Sequence, residues 1–118
     1  MEFVITFNQP ADVIELHEDP VRGPAALEPW KAYMGELVAA GVMRGGNRLA
    51  PPWTATTVRV RQGQITMTDG PFAETTEQLG GFYLIEARDL NEAIQVASRI
   101  PSARIGSVEV RPVVDFGS

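Results

Sequence analysis

The chain has 118 residues, 44% of them hydrophobic and 21% charged, with a net charge of −5. That length fits a single domain spanning 1–118, with enough core to fold unaided. The absence of cysteine and the single histidine exclude disulfides, thiol chemistry and a multi-histidine metal centre, and the acidic balance with dispersed basic residues argues against nucleic acid as a partner.

Residues 2–7 alternate Phe3, Ile5 and Phe7 with Val4 and Thr6, which predicts a strand buried on both sides. Residues 8–23 read as an acidic connection, with the pattern of one helical turn at 11–16 and with His17 as a solvated loop histidine. A helix is predicted over 29–40, with Trp30, Met34, Leu37 and Val38 along one face, Pro29 in its first turn and Gly41 just past its end. Residues 42–50 predict a strand bent or bulged at Gly45-Gly46, and no phosphate-loop pattern surrounds those glycines. Val58 and Val60 alternate with Arg59 and Arg61, Gln62-Gly63 suits a two-residue turn, and Ile65 and Met67 alternate on the return: a β-hairpin.

A further strand is expected over 80–87. Asp89 then caps a second helix whose buried stripe is Leu90, Ala93, Ile94 and Ala97, with Glu92 completing a capping box and Pro101 ending the helix. Residues 107–113 alternate as a last strand. The order strand, helix, strands, strand, helix, strand predicts an α+β, ferredoxin-like sandwich: one antiparallel sheet with both helices on one face. Arg59, Arg61, Thr66, Thr68 and Tyr83 are expected on the open face, and pairing with a second copy would cover it. No apolar run nears the roughly 20 residues that cross a bilayer, and no basic-then-apolar leader is visible, so no membrane association and a cytoplasmic location are expected.

The stretch from Thr68-Asp69-Gly70-Pro71-Phe72 through Leu79-Gly80-Gly81-Phe82-Tyr83-Leu84 to Ala87 resembles the defining region of the YCII-related family, in the branch called DGPF-domain proteins. Pro51-Pro52, Ala87-Arg88-Asp89-Leu90-Asn91-Glu92-Ala93 and Arg111-Pro112-Val113 extend the resemblance, which runs from about Trp30 to the end and leaves the connection at 8–27 individual to this protein. The resemblance implies a bacterial protein and a dimeric α/β-barrel in which two ferredoxin-like protomers pack sheet to sheet, with a cleft near the interface. It implies no settled reaction. Relatives of that fold include cofactor-independent enzymes, and some family members are encoded beside extracytoplasmic-function sigma factors. In another branch a histidine on the first helix pairs with an aspartate; here Trp30 falls near that place, with Tyr33 one turn along, so a His–Asp mechanism is not expected.

Asp69 has two readings: a turn-former whose carboxylate caps backbone N–H groups, or a general acid or base in a partly apolar cleft. Phe72 then plugs the loop or lines that cleft. Glu74 and Glu77 either join Asp69 in a carboxylate group or belong to a solvated loop. Arg59 and Arg61 either grip an anion or pair with Glu109 or a partner chain. Trp30, Tyr33, Met34 and Tyr83 are either core or the wall of a ligand pocket, and Trp53 anchors a loop or rims the cleft. The expected protein is a homodimer that binds a small molecule or acts as a cofactor-independent enzyme near Asp69, without metal or cofactor. The alternative is an interaction module for a regulatory protein partner.

Overall fold

A computed structural model describes residues 1–116, so the last two positions of the expected domain lie outside it. The elements run β1 (Glu2–Pro10), α1 (Ala11–Glu18), α2 (Gly23–Ala26), α3 (Glu28–Ala39), β2 (Met43–Arg48), β3 (Thr56–Arg61), β4 (Gln64–Asp69), β5 (Glu77–Glu86), α4 (Leu90–Ser98), α5 (Ser102–Ile105) and β6 (Ser107–Pro112). The main sheet has the order β2-β5-β1-β6, and every pairing in it is antiparallel. This is the ferredoxin-like sandwich that the element order predicts. As expected, β2 carries a bulge, where its register shifts between Met43 and Gly45.

Period-two alternation sets the layers. Phe3, Ile5 and Phe7 of β1 and Tyr83 and Ile85 of β5 point to the helices, where they join Trp30, Tyr33, Leu37, Ala93, Ala97 and Ile100 in one core. Gly81 stands opposite Phe7, and a Cβ there would run into the Phe7 ring and the Asn47 carbonyl. A side chain at 81 would therefore displace the aromatic group that anchors this end of the core.

Both helical stripes differ from the spacing-based expectation. In α3 the buried residues are Trp30, Tyr33 and Leu37, while Met34 and Val38 are exposed. The stripe rotates because Tyr33 is held: its hydroxyl donates to the Val96 carbonyl at 2.7 Å, and the Arg99 guanidinium lies 4.9 Å from the ring centre. In α4 only Ala93 and Ala97 are buried, and Leu90 and Ile94 stay about half exposed. Small side chains bring that helix close to the sheet and leave the larger ones at its flanks. The Asp89 carboxylate accepts from the Glu92 N–H at 2.9 Å as expected; the Glu92 carboxylate reaches back to the Arg88 N–H at 3.2 Å, one residue earlier than a standard capping box.

The hairpin also forms as read, with Val58 opposite Met67 and Val60 opposite Ile65. Gln62 at φ 51° and Gly63 at φ 75° make the left-handed two-residue turn that suits strand twist. It stands apart from the main sheet, however, and this corrects the expected open face. Arg59, Arg61, Thr66 and Thr68 belong to the hairpin, and Tyr83 is buried on the helix side. The open face presents Val4 and Thr6 of β1 beside Leu84 and Phe82 of β5, all half-buried.

Candidate functional site

The connection at 8–23 is more ordered than its composition suggests. Strand β1 runs on to Pro10, which carries Gln9 onto the buried face, and α1 follows without a gap. Asp19 then accepts hydrogen bonds from the N–H groups of Val21 (2.8 Å) and Arg22 (2.9 Å). That turn folds α2 back so tightly that Gly23 packs on the His17 carbonyl. These backbone bonds, with Arg22 beside it, hold the Asp19 carboxyl below its usual range.

His17 therefore lies in the last turn of α1 and is only 8% exposed, which corrects the solvated-loop expectation. Its ring meets Trp30 edge to face at 6.2 Å. No described residue hydrogen-bonds to its ring nitrogens, and among the described residues no enclosed side-chain polar atom lacks a partner, so those nitrogens are accessible. His17 lines a cavity of about 140 Å³ and also borders two neighbouring clefts.

Phe7, Trp30 and Tyr83 form an aromatic wall, with Phe7 4.8 Å from Trp30 and 5.3 Å from Tyr83 between ring centres. Leu27 and Met34 complete the apolar part. Gln9, His17, Lys31 and Arg48 supply the polar groups. Arg48 donates to the Glu18 carboxylate at 2.7 Å across the rim. Burial lowers the His17 pKa, the Arg48 charge lowers it further, and Glu18 opposes both in part, which leaves a neutral imidazole at pH 7. Burial raises the Tyr83 phenol, and Tyr33 adds to that, so Tyr83 stays protonated.

Of the residues singled out in the sequence, Trp30 and Tyr83 line this cavity. Tyr33 is core, its hydroxyl committed to Val96. Asp69 ends β4 opposite Thr56, exposed, and no described residue donates to its carboxylate, so it does not cap a turn. It borders a shallow groove with Trp53, Pro71 and Glu74. Phe72 is 82% exposed and plugs nothing within its own chain, because its loop leaves the core together with the hairpin. Glu77 belongs to β5 and accepts from the Ser107 hydroxyl at 2.6 Å. Among the described residues no cluster of acidic or histidine side chains converges to hold a metal. Arg59 and Arg61 lie on a different sheet from Glu109 and make no ion pair with it.

Gln9, His17 and Arg48 escaped the sequence reading. One signal was present: Ile14 and His17, both buried, stand one helical turn apart in the connection. The same three polar residues border a narrow cleft that continues to Ile14 and Pro52, and these two also border the Asp69 groove.

No helix among the described residues is long and apolar enough to cross a membrane. An uncharacterised protein of Rhizobium meliloti (strain 1021) is 44% identical over 84 residues, which make up 70% of this chain and 68% of that one. Among solved structures, the chain resembles the 5-chloro-2-hydroxyhydroquinone dehydrochlorinase of Burkholderia phenoliruptrix AC1100 in complex with 2,5-dihydroxybenzoquinone. The TM-score is 0.53 at 13% identity, covering 97% of this chain and 94% of the other, which is a likeness of fold. The family model for the YCII-related domain matches residues 1–117, the connection included, and the chain belongs to that family.

Proposed function

We propose that the protein binds a small molecule in the cavity walled by Phe7, Trp30 and Tyr83, and that it does so as a homodimer. The cavity carries the first part. At about 140 Å³ it matches the roughly 150 Å³ of an apolar cavity that holds one benzene ring, and its lining surface is almost wholly apolar, with a few polar residues among those that border it. The structural relative is itself a complex with a one-ring compound, which agrees with such a ligand without lending its reaction to this chain. The neutral imidazole of His17 is the lining group suited to accept a proton near neutral pH, and an enzymatic role would use it. The regulatory-module reading gains no support from the family match or the structural likeness.

The hairpin supports the second part. Its face of Val58, Val60, Ile65 and Met67 is 57–72% exposed, and an isolated two-stranded hairpin is marginal in water. The Cα radius of gyration is 16.1 Å, against about 13–14 Å for a compact chain of this length. A second copy that covers this face and the open Val4, Phe82 and Leu84 surface accounts for both features.

Toluene titrated into the Trp53→Phe variant, where Trp30 is the remaining tryptophan, changes the emission saturably. An unchanged emission together with no shift in melting temperature refutes the cavity reading. Sedimentation should show a dimer that Ile65→Glu with Met67→Glu turns into a folded monomer; a monomeric parent protein overturns the dimer.

A further inference from the structure

The cavity reading leaves open which one-ring compounds enter, and the charges at its rim bear on that. The chain carries a net charge of −5, yet the side chains lining the cavity include Lys31 and Arg48 and no carboxylate. Glu18, just outside, is the nearby counter-charge, and it engages one Arg48 Nη at 2.7 Å. A guanidinium has five donors, so this pairing leaves others for a ligand. His17 also lines the cavity, and no described residue engages its ring nitrogens. An acidic protein thus holds a locally cationic mouth over an aromatic slot.

We infer that the cavity selects planar one-ring anions, phenolates or aryl carboxylates, with the ring between Trp30 and Tyr83, the charged oxygen toward Arg48, and a His17 N–H donating to that oxygen. This rests on the cavity being the ligand site. The charged or titratable groups at and beside the cavity are Glu18 and His17 from α1, Lys31 from α3, Arg48 from β2 and Tyr83 from β5, while β1 contributes only Phe7 and the neutral Gln9. Glu18 alone opposes an anion, and its carboxylate is already engaged by Arg48. An anion close to one arginine is favoured over its neutral acid by about one to three pKa units, and burial against the apolar wall, which raises the Tyr83 phenol, takes back part of that gain. The exposure of Arg48, about half, places the effect at the low end.

The probe is 4-nitrophenol, whose visible absorbance reports its ionisation directly, compared with nitrobenzene, which shares the ring and lacks the acidic group. Bound 4-nitrophenol ionises about one unit below its value in water, equivalent to a tenfold preference for the anion. The Arg48→Met variant, its fold checked by circular dichroism, loses that shift, and Arg48→Lys keeps most of it. An unshifted bound phenol, or a shift that survives Arg48→Met, overturns the inference while nitrobenzene binding leaves the cavity reading standing. If neither compound binds, the cavity reading fails with it.

Discussion

Replacing Phe7 with alanine tests whether the cavity wall and the core are the same structure. The ring is 3% exposed, packs on Trp30 and Tyr83 at 4.8 and 5.3 Å, and lies over Gly81. Buried Phe→Ala changes cost about 3–5 kcal/mol, including the aromatic pair contributions of about 0.5–1.5 kcal/mol each. Phe7 already borders open space on one side, so fewer packing contacts are lost than at a solid core site, and about 3 kcal/mol is expected. That is a large share of the roughly 5–15 kcal/mol that holds a domain together. The gap does not collapse, because the pairing of Phe7 with Gly81 fixes the backbone on both strands. The urea midpoint falls with the slope unchanged, and naphthalene, too large for the parent cavity, now raises the melting temperature. A loss below about 1 kcal/mol, or continued exclusion of naphthalene, refutes the claim that this ring closes the cavity.

Two further outcomes follow from the same geometry. Burial and the Arg48 charge hold the His17 pKa below its ordinary 6.5, so the folded form resists protonation. The resulting stability is fully present above 6.5 and is lost as pH falls through the lower folded value; urea midpoints of His17→Gln should lack that component of the parent's acid dependence. Asp69→Asn, at an exposed carboxylate without a described partner, should leave stability within about 0.5 kcal/mol and toluene binding unaltered. Loss of toluene binding in that variant would return Asp69 to the site.

The sequence made the strands legible because alternation is a local property: the Phe3, Ile5, Phe7 face and the Val58–Met67 hairpin both follow from period two. Helix stripes were less legible. Met34 and Val38 fit the spacing as well as Tyr33 does, and what decides between them is a long-range bond from Tyr33 to Val96. The site was least legible of all. Trp30 and Tyr83 were visible as aromatic residues, but Gln9, His17 and Arg48 meet only because β1 overruns its apolar segment and an Asp19 turn folds the chain back. An acidic, proline-flanked segment looks like a loop until those backbone bonds are known.

The Asp69-Gly70-Pro71-Phe72 stretch, which carries the family resemblance, lies outside the cavity and at the root of the arm. The Gly70 N–H donates to the Ala55 carbonyl at 2.7 Å, the Thr57 hydroxyl donates to the Gly70 carbonyl at 2.8 Å, and Gly70 takes φ 97°, a conformation suited to glycine. These bonds fasten the two ends of the hairpin to each other, and the main sheet does not. Pro71 fixes the exit of the chain, and Phe72 emerges exposed beside the apolar face of Leu49, Pro52 and Leu79. In the proposed homodimer this makes the stretch an assembly device: it sets the angle at which the Val58, Val60, Ile65 and Met67 face is offered to the second copy. The invested structure is in the turn backbone, while the Asp69 carboxylate itself engages nothing described. In the proposed homodimer the segment would therefore serve assembly, while ligand selection in the proposed cavity would rest on residues elsewhere, among them His17 of α1 and Arg48 of β2.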